Sequence, residues 1–165
     1  LHHKNNAYSP LLMAACRALL YPWVASLHSE ALSAHILIAA LGAFSYTLAL
    51  SRIARTPSLF KQWPIQMGAL IALPAILWLA YTKGQLSLNT IAASSGFALW
   101  CAYSLSGLYL GPLNASFTIK NLIAGFCAVD LMALSFYGSI SPINSLLFVA
   151  LLFSTLLLQK KISGT

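Results

Sequence analysis

The chain has 165 residues, of which 59% are hydrophobic and only 7% are charged. A soluble domain carries about 25% charged residues, so this composition excludes a protein whose whole surface faces water. Nine Lys and Arg residues against two acidic ones give a net charge of +7, but the basic residues are sparse and separated by apolar stretches. The composition therefore predicts an integral membrane protein in contact with lipid, and no nucleic-acid partner.

Six apolar stretches of about 20 residues, each long enough to cross a ~30 Å hydrocarbon core, recur along the chain. A lipid-embedded backbone must satisfy its own hydrogen bonds, and the alternating pattern of barrel strands is absent, so each stretch is predicted to be a helix. The predicted fold class is all-α, a polytopic transmembrane bundle forming a single domain over residues 1–165. The predicted spans are 9–28, 33–53, 63–82, 87–110, 118–138 and 142–159.

Local features within these spans predict how the helices begin, bend and pack. In the first span Pro10 suits an opening helical turn, whereas Pro22 there and Pro74 in the third span are predicted to kink their helices. The fourth span contains a cluster of small residues that permit close helix approach: Ala92, Ala93, Ser95 and Gly96.

The distribution of basic residues predicts the topology. With six spans, both termini and the loops at 54–62 and 111–117 lie on one side of the membrane, and the opposite side holds only Lys83. The positive-inside rule then makes both termini cytoplasmic, in a cell inner membrane or its equivalent. The cations assigned to the cytoplasmic side are Lys4, Arg52, Arg55, Lys61, Lys120, Lys160 and Lys161.

Polar residues inside predicted spans are candidates for function because polarity is costly in lipid. Asp130 lies ten residues after Lys120, hence about 15 Å deeper along a helix and near the bilayer middle. An ionised carboxylate there costs at least ~2.5 kcal/mol, so Asp130 is either a structural hydrogen-bonding group between helices or a catalytic or ion-pathway group. Asn121 and Tyr46 are the other intramembrane polar candidates.

Several cations have two interpretations. Arg17 lies two turns inside the first span, and Arg52 and Arg55 are three residues apart at the end of the second, on one helical face. Each can anchor the chain at the cytoplasmic interface. Alternatively, the cations converge on one cavity and bind a diphosphate, whose oxygens suit the paired donors of Arg. The candidates are Lys4, Arg17, Arg52, Arg55 and Lys120.

Three stretches, taken in order, resemble the later part of the UbiA family of membrane prenyltransferases, and most closely its UbiA-like branch. They are "LHHKNNAYSPLLMAACRALLY", "SYTLALSRIAR" and "IKNLIAGFCAVDLMAL". The resemblance implies a larger helical bundle with a lipid-open cavity, of which this chain is the C-terminal portion. It also implies transfer of an isoprenoid from its diphosphate to an acceptor, often aromatic, with Mg²⁺ as cofactor.

Individual positions follow or depart from the family pattern. Lys4 matches the lysine of the YxxxK motif, which contacts diphosphate in the family. The segment 46–55 takes the place of the second Asp-rich motif, and the first such motif would precede Leu1. The positions where the family has aspartates hold residues without carboxylates, so no Mg²⁺ ligands are visible and the resemblance leaves catalysis open. These residues are Ser51, Arg52, Arg55 and Thr56.

Three functions are consistent with these patterns. The first is a membrane prenyltransferase-like protein whose partners are membrane lipid, an isoprenoid diphosphate and an acceptor substrate. The second is a non-catalytic relative that binds an isoprenoid lipid. The third is a small six-helix transporter that uses Asp130 as its coupling site.

Overall fold

The computed structural model describes residues 8–27, 33–56, 64–82, 87–109, 115–137 and 141–162. Within these ranges the chain is almost entirely helical and contains no strand, which confirms the all-α part of the predicted fold class. The helices are α1 (Ser9–Leu27), α2 (Ala34–Arg55), α3 (Pro64–Tyr81), α4 (Leu88–Tyr109), α5 (Ala115–Ala124), α6 (Phe126–Tyr137) and α7 (Pro142–Ile162).

Four helical segments are long and apolar enough to cross a membrane, as expected of a membrane protein. They are Ser9–Leu27, Ala34–Arg55, Pro64–Tyr81 and Ala115–Ser135. The last segment covers α5 and most of α6. Ile143–Gln159 within α7 is apolar but shorter. Helices occupy all six predicted spans, with outer bounds within three residues of those predicted, but the fifth span holds two helices, α5 and α6, where one was predicted. That all six cross a membrane stays a prediction.

The helices form two compact units, Leu1–Trp78 and Leu79–Thr165, called unit 1 and unit 2 below. Unit 1 contains α1, α2 and most of α3, and unit 2 contains α4 to α7. Each unit has its own buried residues. The assignment of all 165 residues to one domain stays a prediction.

In unit 1, α2 is the central helix. It packs against α1 and is buried on most of its circumference, whereas α1 buries only Pro10 and Ala14 among its described residues. Gly42 of α2 meets α3 at Pro74: a Cβ added to Gly42 would lie 3.3 Å from the Cα of Pro74. Pro74 lies inside α3, as Pro22 lies inside α1, and neither ends its helix.

In unit 2, α4 packs against α5 and α6, and α7 packs against the same two helices. A tight contact of α4 is at Gly107, where an added Cβ would lie 2.7 Å from Cδ1 of Phe117 and 3.0 Å from Oγ1 of Thr118. At Gly96, in the small-residue cluster, an added Cβ would meet no described atom within 4 Å. Gly96 therefore makes no close helix contact with the described residues, whereas Gly107 does.

The outer faces of both units are apolar. Leu12 on α1 is 67% exposed and Leu157 on α7 is 70% exposed, and other long aliphatic side chains on these helices are exposed in the same way. Water-soluble proteins rarely expose such extensive apolar surface. Contact with lipid accounts for these faces.

Candidate functional site

The end of α2 presents the two arginines that the sequence singled out. Arg52 and Arg55 are exposed in the last turn, on either side of the fully buried Ile53. The backbone N–H of Thr56 donates to the carbonyl of Arg52 at 3.0 Å and closes the helix. Cations at a helix C-terminus interact favourably with its partial negative charge. Both guanidinium groups therefore have a structural role as well as access to an anion from outside.

A third cation lies deeper in unit 1. Arg17 is half-buried and its Nε atom is covered. It is eight residues from the start of α1, or about 12 Å, and Tyr46 is nine residues from the end of α2, or about 13.5 Å. Because α1 and α2 pack together and run in opposite directions through a short connection, these two residues lie at similar depth.

Tyr46 belongs to a buried polar layer in the middle of α2. It is 1% exposed, and its neighbours Ser45 and Thr47 are also buried. The Ser45 hydroxyl donates to the carbonyl of Gly42 at 2.8 Å, and the Thr47 hydroxyl donates to that of Ala43 at 2.6 Å. The hydroxyls of Ser45 and Thr47 are thus bonded to their own helix.

The described residues of unit 1 offer no carboxylate ligand for Mg²⁺. Hard oxygen ligands, chiefly carboxylates, bind this ion, and the described parts of α1, α2 and α3 contain no Asp or Glu. Guanidinium groups cannot ligate a cation. No group of three His, Cys, Asp or Glu side chains suited to a metal occurs among the described residues of the chain. The Mg²⁺ implied by the UbiA resemblance stays a prediction.

Unit 2 contains a polar contact between α4 and α5. The indole N–H of Trp100 donates to the backbone carbonyl of Asn121 at 2.9 Å. The same carbonyl accepts from the N–H of Gly125, also at 2.9 Å. Helical geometry is interrupted at Gly125, between α5 and α6. The bond from Trp100 therefore adds to the helical bond of Gly125 and does not replace it.

The two charged candidates of unit 2 lie on opposite sides of this interruption. Lys120 on α5 and Asp130 on α6 are both half-buried. Asp130 lies four residues beyond Phe126, the middle of the segment 115–137, a displacement of about 6 Å. Asp130 thus lies well inside an apolar segment, as the sequence predicted, although past its centre.

The structure places four of the predicted site residues on the packed helices α1 and α2, and that they form one site stays a prediction. Arg17 and Tyr46 lie on packed helices of unit 1, beneath the end of α2 that bears Arg52 and Arg55. Lys4 lies outside the described residues. Lys120 belongs to unit 2, so convergence of all five cations on one cavity stays a prediction.

Asn121 was named from the sequence, but two polar residues near it were missed. Trp100 and Thr118 were not among the candidates, and the interruption at Gly125 was not predicted. The signal lies in "NLIAG", 121–125, where an amide and a glycine stand one turn apart in an apolar run.

No protein-family model matches the chain, and no curated protein or solved structure matches it either. The case for a function therefore rests on the residues and their placement.

Proposed function

We propose that this chain is a membrane prenyltransferase-like protein, the C-terminal portion of a UbiA-like bundle, that binds an isoprenoid diphosphate at the Arg-bearing end of unit 1. The supporting observation is the arrangement of Arg52 and Arg55 at the end of α2, with Arg17 and Tyr46 deeper on the packed pair α1–α2. Sequence resemblance supplies the reaction class.

The charges of this end fit the head of such a substrate. Guanidinium groups hold phosphate oxygens through paired, charge-assisted hydrogen bonds. Arg52 and Arg55 are exposed and lie on one helical face, so a diphosphate can approach both. The apolar exposed faces of unit 1 suit the isoprenoid tail. An amphipathic lipid substrate thus matches both kinds of surface.

In the proposed reaction the allylic C–O bond breaks and the diphosphate leaves with the electron pair. The acceptor attacks the resulting carbocation and then loses a proton. Cations near the departing diphosphate stabilise its developing charge, an electrostatic contribution that is large in many enzymes. Arg52 and Arg55 supply that positive charge in this proposal, with Arg17 deeper on α1.

The double variant Arg52→Gln/Arg55→Gln, made in the intact protein, tests this function. We expect loss of diphosphate binding, by about tenfold or more for each lost charge-assisted contact. This loss of affinity is measured by the binding of a radiolabelled isoprenoid diphosphate to purified protein in neutral detergent. Turnover with aromatic acceptors, assayed in parallel, separates a transferase from a non-catalytic binder.

Lys83→Gln is the matched control because it removes one cation from the side predicted to be opposite. It should leave diphosphate binding unchanged. Unaltered affinity in the double arginine variant would contradict the proposal. Equal losses in the control and the double variant would show a general charge effect instead.

A second candidate function rests on Asp130. This carboxylate is half-buried inside the apolar segment 115–135, and ionisable residues in such positions commonly belong to ion or substrate pathways. A small transporter that uses Asp130 for coupling predicts that Asp130→Asn abolishes proton-coupled uptake in liposomes and preserves diphosphate binding. Wild-type uptake by this variant would exclude Asp130 as the coupling site.

A further inference from the structure

The first turns of α5 contain two buried hydrogen-bond donors for which the described residues supply no acceptor. Thr118 is fully buried and Asn121 is 5% exposed. Neither Oγ1 of Thr118 nor Nδ2 of Asn121 has a hydrogen-bond partner within the described part of the chain. Buried polar groups are nearly always hydrogen-bonded because an unpaired one is costly. The pair therefore points to a bound acceptor.

Both donors lie on the side of α5 that meets α4. Residues 118 and 121 are three apart, so they lie one turn apart on the same helical face. Oγ1 of Thr118 lies beside Gly107, 3.0 Å from the position of an added Cβ. The backbone carbonyl of Asn121 accepts from the Trp100 indole on the same helix α4.

The polar side chains of α4 at this contact are bonded to backbone. The Ser104 hydroxyl donates to the carbonyl of Trp100 at 2.7 Å, and the Trp100 indole donates to the carbonyl of Asn121. Neither bond satisfies a side-chain donor of α5. Thr118 and Asn121 thus remain donors next to a face of α4 whose polar side chains, Trp100 and Ser104, already donate to backbone carbonyls.

The local charge favours an anionic acceptor. Lys120 is next to Asn121 and half-buried, and the start of α5 at Ala115 carries the partial positive charge of a helix N-terminus. In the described part of unit 2 the one carboxylate is Asp130, nine residues beyond Asn121, or about 13.5 Å along the helix axis. Donors and positive charge together fit a phosphate oxygen.

We propose that Thr118 and Asn121 bind a phosphate oxygen on the α4 side of α5, with Lys120 as the neighbouring charge. The phosphate belongs either to a lipid headgroup or to a soluble phosphate. Phe117, which flanks Gly107, makes an edge-to-face contact with Tyr103 at 5.5 Å, and Tyr103 is 54% exposed. Because Thr118 is fully buried, this proposal requires the aromatic pair to move when the ligand binds. The site consists of unit 2 residues alone and does not depend on the proposed prenyl transfer.

Thermal stability of the full chain in neutral detergent tests the proposal. One arm adds inorganic phosphate, and the other adds phosphatidylglycerol, with diacylglycerol as the phosphate-free control. Stabilisation by inorganic phosphate identifies a soluble source, and stabilisation by phosphatidylglycerol alone identifies a lipid source. Failure of both compounds to stabilise the protein overturns the proposal.

Thr118→Val assigns the response to this site because valine has a similar shape and lacks the donor. We expect no loss of stability without phosphate, since the removed hydroxyl has no acceptor there, and about tenfold weaker phosphate binding. Thr118→Ser should keep the affinity, and Asn121→Leu should weaken it as Thr118→Val does. Loss of ligand-free stability in Thr118→Val with unchanged phosphate affinity would show a structural role and overturn the proposal.

Thr155→Val on α7 is the matched control, because its hydroxyl donates to the carbonyl of Leu151 at 2.8 Å. It should leave phosphate binding unchanged. The thermal stabilisation by phosphate that is lost in Thr118→Val should persist in Arg52→Gln/Arg55→Gln. This result separates the site from the proposed diphosphate site of unit 1. Loss of this Thr118-dependent stabilisation in the double arginine variant would overturn the assignment of the site to unit 2.

Discussion

Gly107 shows how strongly single residues determine packing in this chain. An added Cβ would lie 2.7 Å from Cδ1 of Phe117, a separation that real Cβ atoms do not tolerate, and 3.0 Å from Oγ1 of the fully buried Thr118. The Phe117 ring is held beside Tyr103 by an edge-to-face contact. Even one methyl group at position 107 therefore requires neighbouring side chains to move.

We expect Gly107→Ala to lower the free energy of unfolding by about 1–3 kcal/mol, the usual cost of overpacking. Thermal or denaturant unfolding in detergent micelles measures the loss. Gly96→Ala, on the same helix, is the control because no described atom lies within 4 Å of its added Cβ. It should leave stability unchanged or raise it by up to about 1 kcal/mol through helix propensity. Equal effects of the two substitutions would contradict the packing argument.

Among the helices, the α5–α6 pair is notable for its interruption at Gly125. The carbonyl of Asn121 accepts two hydrogen bonds, from Gly125 along the helix and from Trp100 on α4. Beyond the glycine, the N–H groups of Ala128 and Val129 both donate to its carbonyl at 3.0 Å, so α6 starts anew there. The hydrogen bond of Trp100 thus connects α4 to the junction between α5 and α6.

Trp100→Phe should therefore destabilise this junction. It keeps an aromatic ring but removes the indole donor, and loss of one such hydrogen bond costs about 0.5–1.5 kcal/mol. We also expect faster hydrogen exchange at the amides of 125–129, measured by mass spectrometry. Trp23→Phe on α1, where the ring is 63% exposed, should change neither quantity. Wild-type exchange at 125–129 in Trp100→Phe would show that the indole does not hold the junction.

These elements also show what the sequence predicts and what it does not. The positions of the helices follow from the length of apolar runs, so the predicted spans match them within three residues. The Gly125 interruption and the Gly107 contact depend on which residues lie opposite on another helix. That information is absent from local periodicity. Arg52 and Arg55 were identifiable because charge is rare in this chain, whereas Thr118 is chemically ordinary and became notable only through its burial.

At the scale of the whole molecule, the number of membrane crossings depends on α4. This helix has 22 residues, or about 33 Å, enough to cross a bilayer. It bears no charge, yet its several Ser, Thr, Asn and Gly residues lower its hydropathy, and it is not among the four segments apolar enough to cross. Distribution of the cations nevertheless predicts six crossings, because that number puts Lys120 on the side of the other basic residues.

Labelling of single cysteines on either side of α4 decides between these topologies. In a background of Cys16→Ser, Cys101→Ala and Cys127→Ala, six crossings predict that Gly84→Cys reacts with a membrane-impermeant maleimide in intact cells. Leu113→Cys should react only after the membrane is permeabilised, since α4 then separates the two positions. Labelling of both positions in intact cells would show that α4 does not cross. A permeant maleimide, which should label both positions in every case, controls for reactivity.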